Sequence, residues 1–224
     1  MSQNNSRDDK VKIIEYFEKR LEQYGISPQT MGWRDKKQQY MRFCILAEIG
    51  NLNNHSVLDV GCGFGDFCDF LEKRKLKIQY SGYDISSKFI EIARKRHPDK
   101  IFKVKDILKE NLRNKFDYVI SSGICNLRIS DNTNFLKKIL VKSFELSKLG
   151  VAANMISNYV DYEDEDLYYY RSDEIFTFSK NLTKRVALRH DYMPFEFTIY
   201  LYKNNAIDKR NIFTQAFAEK KNTR

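Results

Sequence analysis

The sequence predicts an α/β fold, a mostly parallel sheet with helices on both faces that ends in an antiparallel pair of strands. Three observations carry this expectation. Short apolar runs of strand character alternate with stretches of helical period, the pattern of strand–helix–strand units. A glycine-rich turn, Gly61-Cys62-Gly63-Phe64-Gly65, joins the first such run to a helix. The last two runs, Lys184 to Arg189 and Phe197 to Tyr202, stand too close to hold a crossover helix. A short connection makes them antiparallel.

The elements follow in order. Residues 10–24 place Val11, Ile14, Phe17 and Leu21 on one helical face. Gly25, Ser27, Pro28 and Gly32 end that helix. A second helix is expected from about Arg34 to Ile49, closed by Gly50. Both precede the first strand, so residues 1–50 read as an N-terminal helical extension or cap. Strands are expected at 57–60, 80–83, 101–105, 116–120 and 151–156, with helices near 65–74, 87–96 and 131–148 and one starting near Ser172. Residues 51–203 then form the sheet domain and 204–224 a basic tail.

Composition bounds the function. The 224 residues are 42% hydrophobic and 31% charged, which suits a folded domain rather than a disordered chain. Nine glycines and three prolines exclude collagen-like and proline-rich classes. No run approaches the roughly 18 apolar residues of a membrane span, and the polar start has no signal-peptide core. Cys44, Cys62, Cys68 and Cys125 form no CxxC pair and are expected to be reduced. These points lead us to expect a cytoplasmic protein. The net charge of +9 is scattered. It reads as a lysine-rich solvated surface more readily than as a patch for nucleic acid, phosphate-rich substrates or anionic membrane.

The motif Val57-Leu58-Asp59-Val60-Gly61-Cys62-Gly63-Phe64-Gly65 is strand, turn and helix start. Its spacing is GxGxG, not the GxGxxG of dinucleotide loops. Asp59 would repel a pyrophosphate and suit a ligand bearing an ammonium group, such as S-adenosylmethionine. Asp84, followed by Ile85, ends the second strand. It can accept ribose hydroxyls or cap the next helix. Asp106 follows the third strand. It can accept from an adenine amino group with Ile107 covering the ring, or be an ordinary loop acid. All three acids fall at strand C-termini, the edge where open parallel sheets bind ligands.

These segments, together with Phe116-Asp117-Tyr118-Val119-Ile120-Ser121-Ser122-Gly123, resemble the successive motifs of class I S-adenosylmethionine-dependent methyltransferases. The resemblance implies a Rossmann-like seven-stranded sheet in the order 3-2-1-4-5-7-6, with strand 7 antiparallel. It implies S-adenosylmethionine as cofactor, held by Asp59, Gly61, Cys62, Gly63, Gly65, Asp84, Ile85, Asp106, Ile107 and Ser122. The flanks, Tyr24-Gly25-Ile26-Ser27-Pro28 with Gly32-Trp33, Ser122 to Asn126, His190-Asp191-Tyr192 and Glu196-Phe197-Thr198, are similar to a bacterial methyltransferase group of unassigned substrate.

The acceptor is expected beyond the fourth strand, near Ser122 and Asn126. The segment lacks the (D/N)PP(Y/F) tetrad and the Pro-Cys nucleophile of nucleic-acid methylating enzymes. It also lacks an acid for a catechol-type metal, so no metal is expected. Of the three histidines, His55 falls on the wrong edge and His97 at a helix end. His190 ends the sixth strand on the ligand edge and reads either as general base or as a structural hydrogen-bonding residue. Tyr168 and Tyr169, in the acidic run from Asp161 to Arg171, read as part of a substrate lid or as a solvated loop. Trp33 and Tyr192 complete the candidate acceptor residues. The favoured function is methylation of an oxygen or nitrogen on a small molecule. An RNA or protein methyltransferase and a non-catalytic S-adenosylmethionine-binding module are the alternatives.

Overall fold

The computed structural model of the chain describes residues 2–206. The expected basic tail lies, from residue 207 onward, outside the described residues. In order, the elements are α1 (Ser2–Tyr24), α2 (Lys36–Ala47), β1 (Ser56–Val60), α3 (Asp66–Lys73), β2 (Gln79–Asp84), α4 (Ser87–Arg96), β3 (Ile101–Val104), β4 (Phe116–Ser122), α5 (Asn132–Leu146), β5 (Ser147–Ile156), α6 (Ser172–Leu182), β6 (Val186–Met193) and β7 (Glu196–Tyr202). The sheet runs β3-β2-β1-β4-β5-β7-β6, as expected. β7 is antiparallel to both β5 and β6, and the remaining pairs are parallel.

Strand alternation divides the core in two. Val57, Tyr118, Ile120 and Tyr200 face one side, where Leu46 of α2, Phe67 of α3 and Ile90 of α4 pack. Leu58, Val119, Val151 and Leu201 face the other, against Leu136 of α5 and Ile175 of α6. Side-chain caps fix where helices begin. Asp35 accepts from Gln38 N, Ser86 from Phe89 N and Asp131 from Asn134 N.

Several boundaries differ from expectation, among them the start of β5 and the end of β6. β5 starts at Ser147 rather than 151, immediately after α5. Ser147 is buried and pairs with Phe116, so the sheet extends into residues whose helical pattern continued in sequence. β6 was expected to end at Arg189, yet it runs to Met193, which pairs with Glu196 across a tight Pro194-Phe195 turn. His190 therefore sits inside the strand. Among the described residues, no helix is long and apolar enough to cross a membrane.

Candidate active site

A cavity of about 600 Å³ opens where β1, β2, β3 and β4 end. That volume suits a drug-sized ligand. Its floor is the glycine turn. Gly61 adopts φ 72°, a left-handed conformation costly for any residue with a Cβ, and a Cβ there would collide with Ile124. The backbone N–H groups of Gly61 and Cys62 both donate to Tyr83 O, at 2.7 and 3.2 Å. The turn is thus stitched to the end of β2.

Asp84 completes the stitching. Its Oδ2 accepts from Gly63 N at 2.9 Å, and its Oδ1 from Ser86 N at 2.9 Å. The helix cap itself is Ser86. Each Asp84 oxygen retains a second lone pair, and the residue lines the cavity. Burial raises its pKa, opposed by those backbone donors. Asp59, on the same wall, is buried and accepts from the Tyr80 hydroxyl at 2.6 Å. Burial pushes Asp59 up to about 7, with Asp84 and Asp66 adding to the rise and Tyr80 opposing it. Two buried carboxylates side by side favour a cationic ligand.

Asp106 accepts from Leu108 N at 3.0 Å and lies 3.6 Å from Lys10 Nζ. α1 covers this edge. Its Ile13 and Phe17 line the cavity. Glu18 accepts from Ser86 Oγ at 2.8 Å and pairs with Lys88, and Asp9 accepts from Ser130 N at 3.0 Å. One helix thus meets the loops after β2, β3 and β4.

The wall beyond β4 holds Ser122, Gly123, Ile124 and Trp33. The Ser122 Oγ is buried, with no hydrogen-bond partner among the described residues. A buried hydroxyl left so is costly, and a polar ligand atom would satisfy it. Trp33 packs against Gly123, where a Cβ would come within 2.6 Å of the indole. The Arg42 guanidinium covers Trp33 at 4.1 Å from a ring centroid. Arg42 Nε donates to Glu196 at 2.6 Å, and both side chains are buried. Asn154 donates to Glu196 at 2.9 Å and accepts from Gly123 N at 2.7 Å. Arg42, Asn154 and Glu196 were not singled out as site residues in the sequence. The only signal was a Glu in the flank Glu196-Phe197-Thr198, and their partnership needs the fold.

Asp59, Gly61, Cys62, Asp84, Ile85, Asp106, Ile107, Ser122 and Trp33 line this one cavity. Gly63 and Gly65 shape the turn without lining it. Five further residues stand elsewhere. Asn126 is buried and accepts from Ile156 N at 3.2 Å. The Tyr168 hydroxyl lies 2.9 Å from Thr133 Oγ1, and the Tyr169 hydroxyl accepts from Asp164 N at 2.8 Å. The Tyr168 hydroxyl thus ties the loop to α5, and the Tyr169 hydroxyl braces the loop itself. Tyr192 bonds Glu196 and Thr198 at 3.1 and 2.7 Å. His190 Nε2 lies 3.1 Å from Pro194 O, with its ring against Tyr159 and Phe197. It belongs to the edge strand, four strand spacings from β1, or roughly 19 Å.

A methyltransferase-domain family model matches residues 57–141. Rv1506c of Mycobacterium tuberculosis, a protein named as a methyltransferase, is 32% identical over 155 residues, 66% of this chain and 93% of that protein. The phosphoethanolamine N-methyltransferase of Plasmodium falciparum is 27% identical over 143 residues, 62% of this chain and 49% of that one. Among solved structures, magnesium protoporphyrin IX methyltransferase of Synechocystis PCC 6803 with bound S-adenosylhomocysteine superposes with a TM-score of 0.65 at 16% identity. That match covers 88% of this chain and all of the other.

Proposed function

The chain belongs to the class I S-adenosylmethionine-dependent methyltransferases, and on that premise we propose that it methylates an oxygen or nitrogen of a small molecule held against Trp33, Ser122 and Gly123. The cofactor supplies a sulfonium-activated methyl group. The two buried acids and the unpartnered Ser122 hydroxyl fit such a ligand. In this reading Asp59 faces the ammonium end, Asp84 takes the ribose hydroxyls, and Asp106 with Ile107 takes the adenine.

The observation that carries the small-molecule reading is the closure of the cavity by α1, through Glu18–Ser86, Lys10–Asp106 and Asp9–Ser130. A site roofed by a helix suits a small acceptor better than a polymer strand. The chain's task is then alignment and exclusion of water. Among the described residues, no histidine lines the cavity. For a hydroxyl acceptor, the carboxylates of the wall, Asp9, Asp66 and Asp131 among them, are the groups available to accept a proton.

The test is incubation with methyl-labelled S-adenosylmethionine and fractionated cell extract. Label in low-mass metabolites supports the proposal. Label in RNA or protein would replace it with the polymer reading that the +9 charge favours. Cofactor binding with no transfer to any fraction would leave a binding module.

A further inference from the structure

We propose that Cys68, Glu72 and His97 form a zinc-binding site outside the methyl-transfer cavity, joining α3 to the end of α4. Cys68 and Glu72 are four residues apart on α3, so both lie on one helical face. His97 is the residue that ends α4. One ligand atom from each of the three lies within 4.8 Å of the others. His97 Nδ1 is 3.7 Å from Glu72 Oε2. Two oxygen or nitrogen ligands of one tetrahedral zinc ion stand about 3.3–3.5 Å apart, given bonds of about 2.0–2.2 Å. A small inward movement of the three side chains therefore suffices.

The neighbours are arranged as a metal site requires. His97 is 4% exposed, and its Nε2 has no hydrogen-bond partner among the described residues. That nitrogen lies 3.3 Å from Asp69 Oδ1. It is not hydrogen-bonded there; with Nδ1 on the ion, a small rotation of the ring would turn the Nε2 proton to Asp69, the carboxylate–histidine–metal relay that orients ligating imidazoles. Lys100 Nζ takes the other Glu72 oxygen, Oε1, at 3.1 Å, leaving Oε2 for the ion. Sulfur, nitrogen and oxygen donors together select zinc over calcium or magnesium, which prefer oxygen alone.

A second cavity, of about 410 Å³, has Cys68, Glu72 and Lys100 in its wall. It provides an entry path and room for a water as fourth ligand. Binding would release the Cys68 thiol proton to solvent as the thiolate forms. The consequence is mechanical. A Cβ at Gly65 would stand 3.0 Å from His97 Cδ2, so an ion on His97 would fix the wall behind the glycine turn.

The test uses the full chain, freed of metal by chelation and titrated with Co²⁺ alone. The expected result is one equivalent bound, with a thiolate-to-cobalt charge-transfer band that Zn²⁺ displaces. Cys68→Ser should abolish the band and Cys44→Ser should leave it. Should Cys68→Ser fail to fold, Glu72→Gln alters a half-exposed side chain and should weaken Co²⁺ by at least about tenfold. No band in the unmodified chain, a band that persists in folded Cys68→Ser, or unchanged affinity in Glu72→Gln would each overturn the site. Labelling by S-adenosylmethionine is a separate readout, so loss of either conclusion leaves the other standing.

Discussion

The Tyr80 hydroxyl donates to Asp59 Oδ2 at 2.6 Å inside the sheet and opposes the burial that makes this acid of the cavity wall a titrating group. Burial raises Asp59 to about 7, above the roughly 3.9 of an unfolded chain. A carboxylate raised in this way stabilises the unliganded fold most at low pH. That contribution is lost as pH rises through about 7. A ligand with a positive charge reverses the balance, because it favours the ionised form.

Cofactor affinity should therefore increase between pH 6 and 8, at up to about tenfold per unit below 7. The thermal shift caused by S-adenosylmethionine should grow over the same range. Calorimetry across that window checks it, with Asp59→Asn as the control. An equal slope in the variant would assign the titration elsewhere, Asp84 being the nearest alternative.

Asp84 carries two loads. Its oxygens hold Gly63 N and Ser86 N, and in the proposed function they also face the ribose. Charge-assisted bonds contribute about 1.5–3 kcal/mol each. Asp84→Ala should thus lower melting temperature and weaken S-adenosylhomocysteine by at least about tenfold. Weaker binding at unchanged stability would mean that the turn does not need its carboxylate brace. Unchanged affinity in a folded variant would end the ribose assignment.

The half of the cavity proposed for the cofactor was legible as a cluster of lining residues because its signal is local. Asp59, Gly61, Asp84 and Asp106 lie at strand ends, and alternation in the sequence marks those ends. The acceptor half was less so. Arg42 meets Glu196 across 154 positions of chain, and no local pattern records that. Tyr168 and Tyr169 sit in a loop at the expected edge, yet a position does not tell where a hydroxyl points. Both hydroxyls are used within their own surroundings. For His190 the error was one of position, both along the strand and across the sheet, since β6 is the edge strand four spacings from β1. The strand continues to Met193, and hairpin ends are set by turn pairing more than by apolar pattern.

Trp33 is the chain's single tryptophan, and it lies between Gly123 and Arg42. Its fluorescence should therefore report the wall proposed for the acceptor. Adding S-adenosylhomocysteine should change the emission, and Arg42→Ala should change it without ligand. Removing one partner of a buried ion pair costs about 3–5 kcal/mol. Glu196→Ala should lose about that much, and the double variant should lose less than the sum. Additive losses in urea unfolding would show that the two side chains do not act as a pair.

His190 gives the sharpest division between edge and site. The sequence placed it at a strand terminus beside the glycine turn, where an imidazole base would raise turnover about 10²–10⁴-fold. In the structure it is inside β6, with Nε2 at Pro194 O and its ring against Phe197. Such a residue braces the hairpin. His190→Ala should cost about 1 kcal/mol of stability through one lost hydrogen bond. S-adenosylhomocysteine affinity should stay within about twofold, since an edge residue some 19 Å from β1 touches neither ligand. Once the acceptor is known, turnover by the variant should match the unmodified chain at temperatures where both are folded. A loss of a hundredfold or more, with intact cofactor binding, would restore His190 to the chemistry. It would require the β6–β7 hairpin to fold over the cavity when the acceptor binds. Amide exchange of residues 190–196 with and without ligand separates the two cases, because a brace keeps its protection and a closing hairpin gains it.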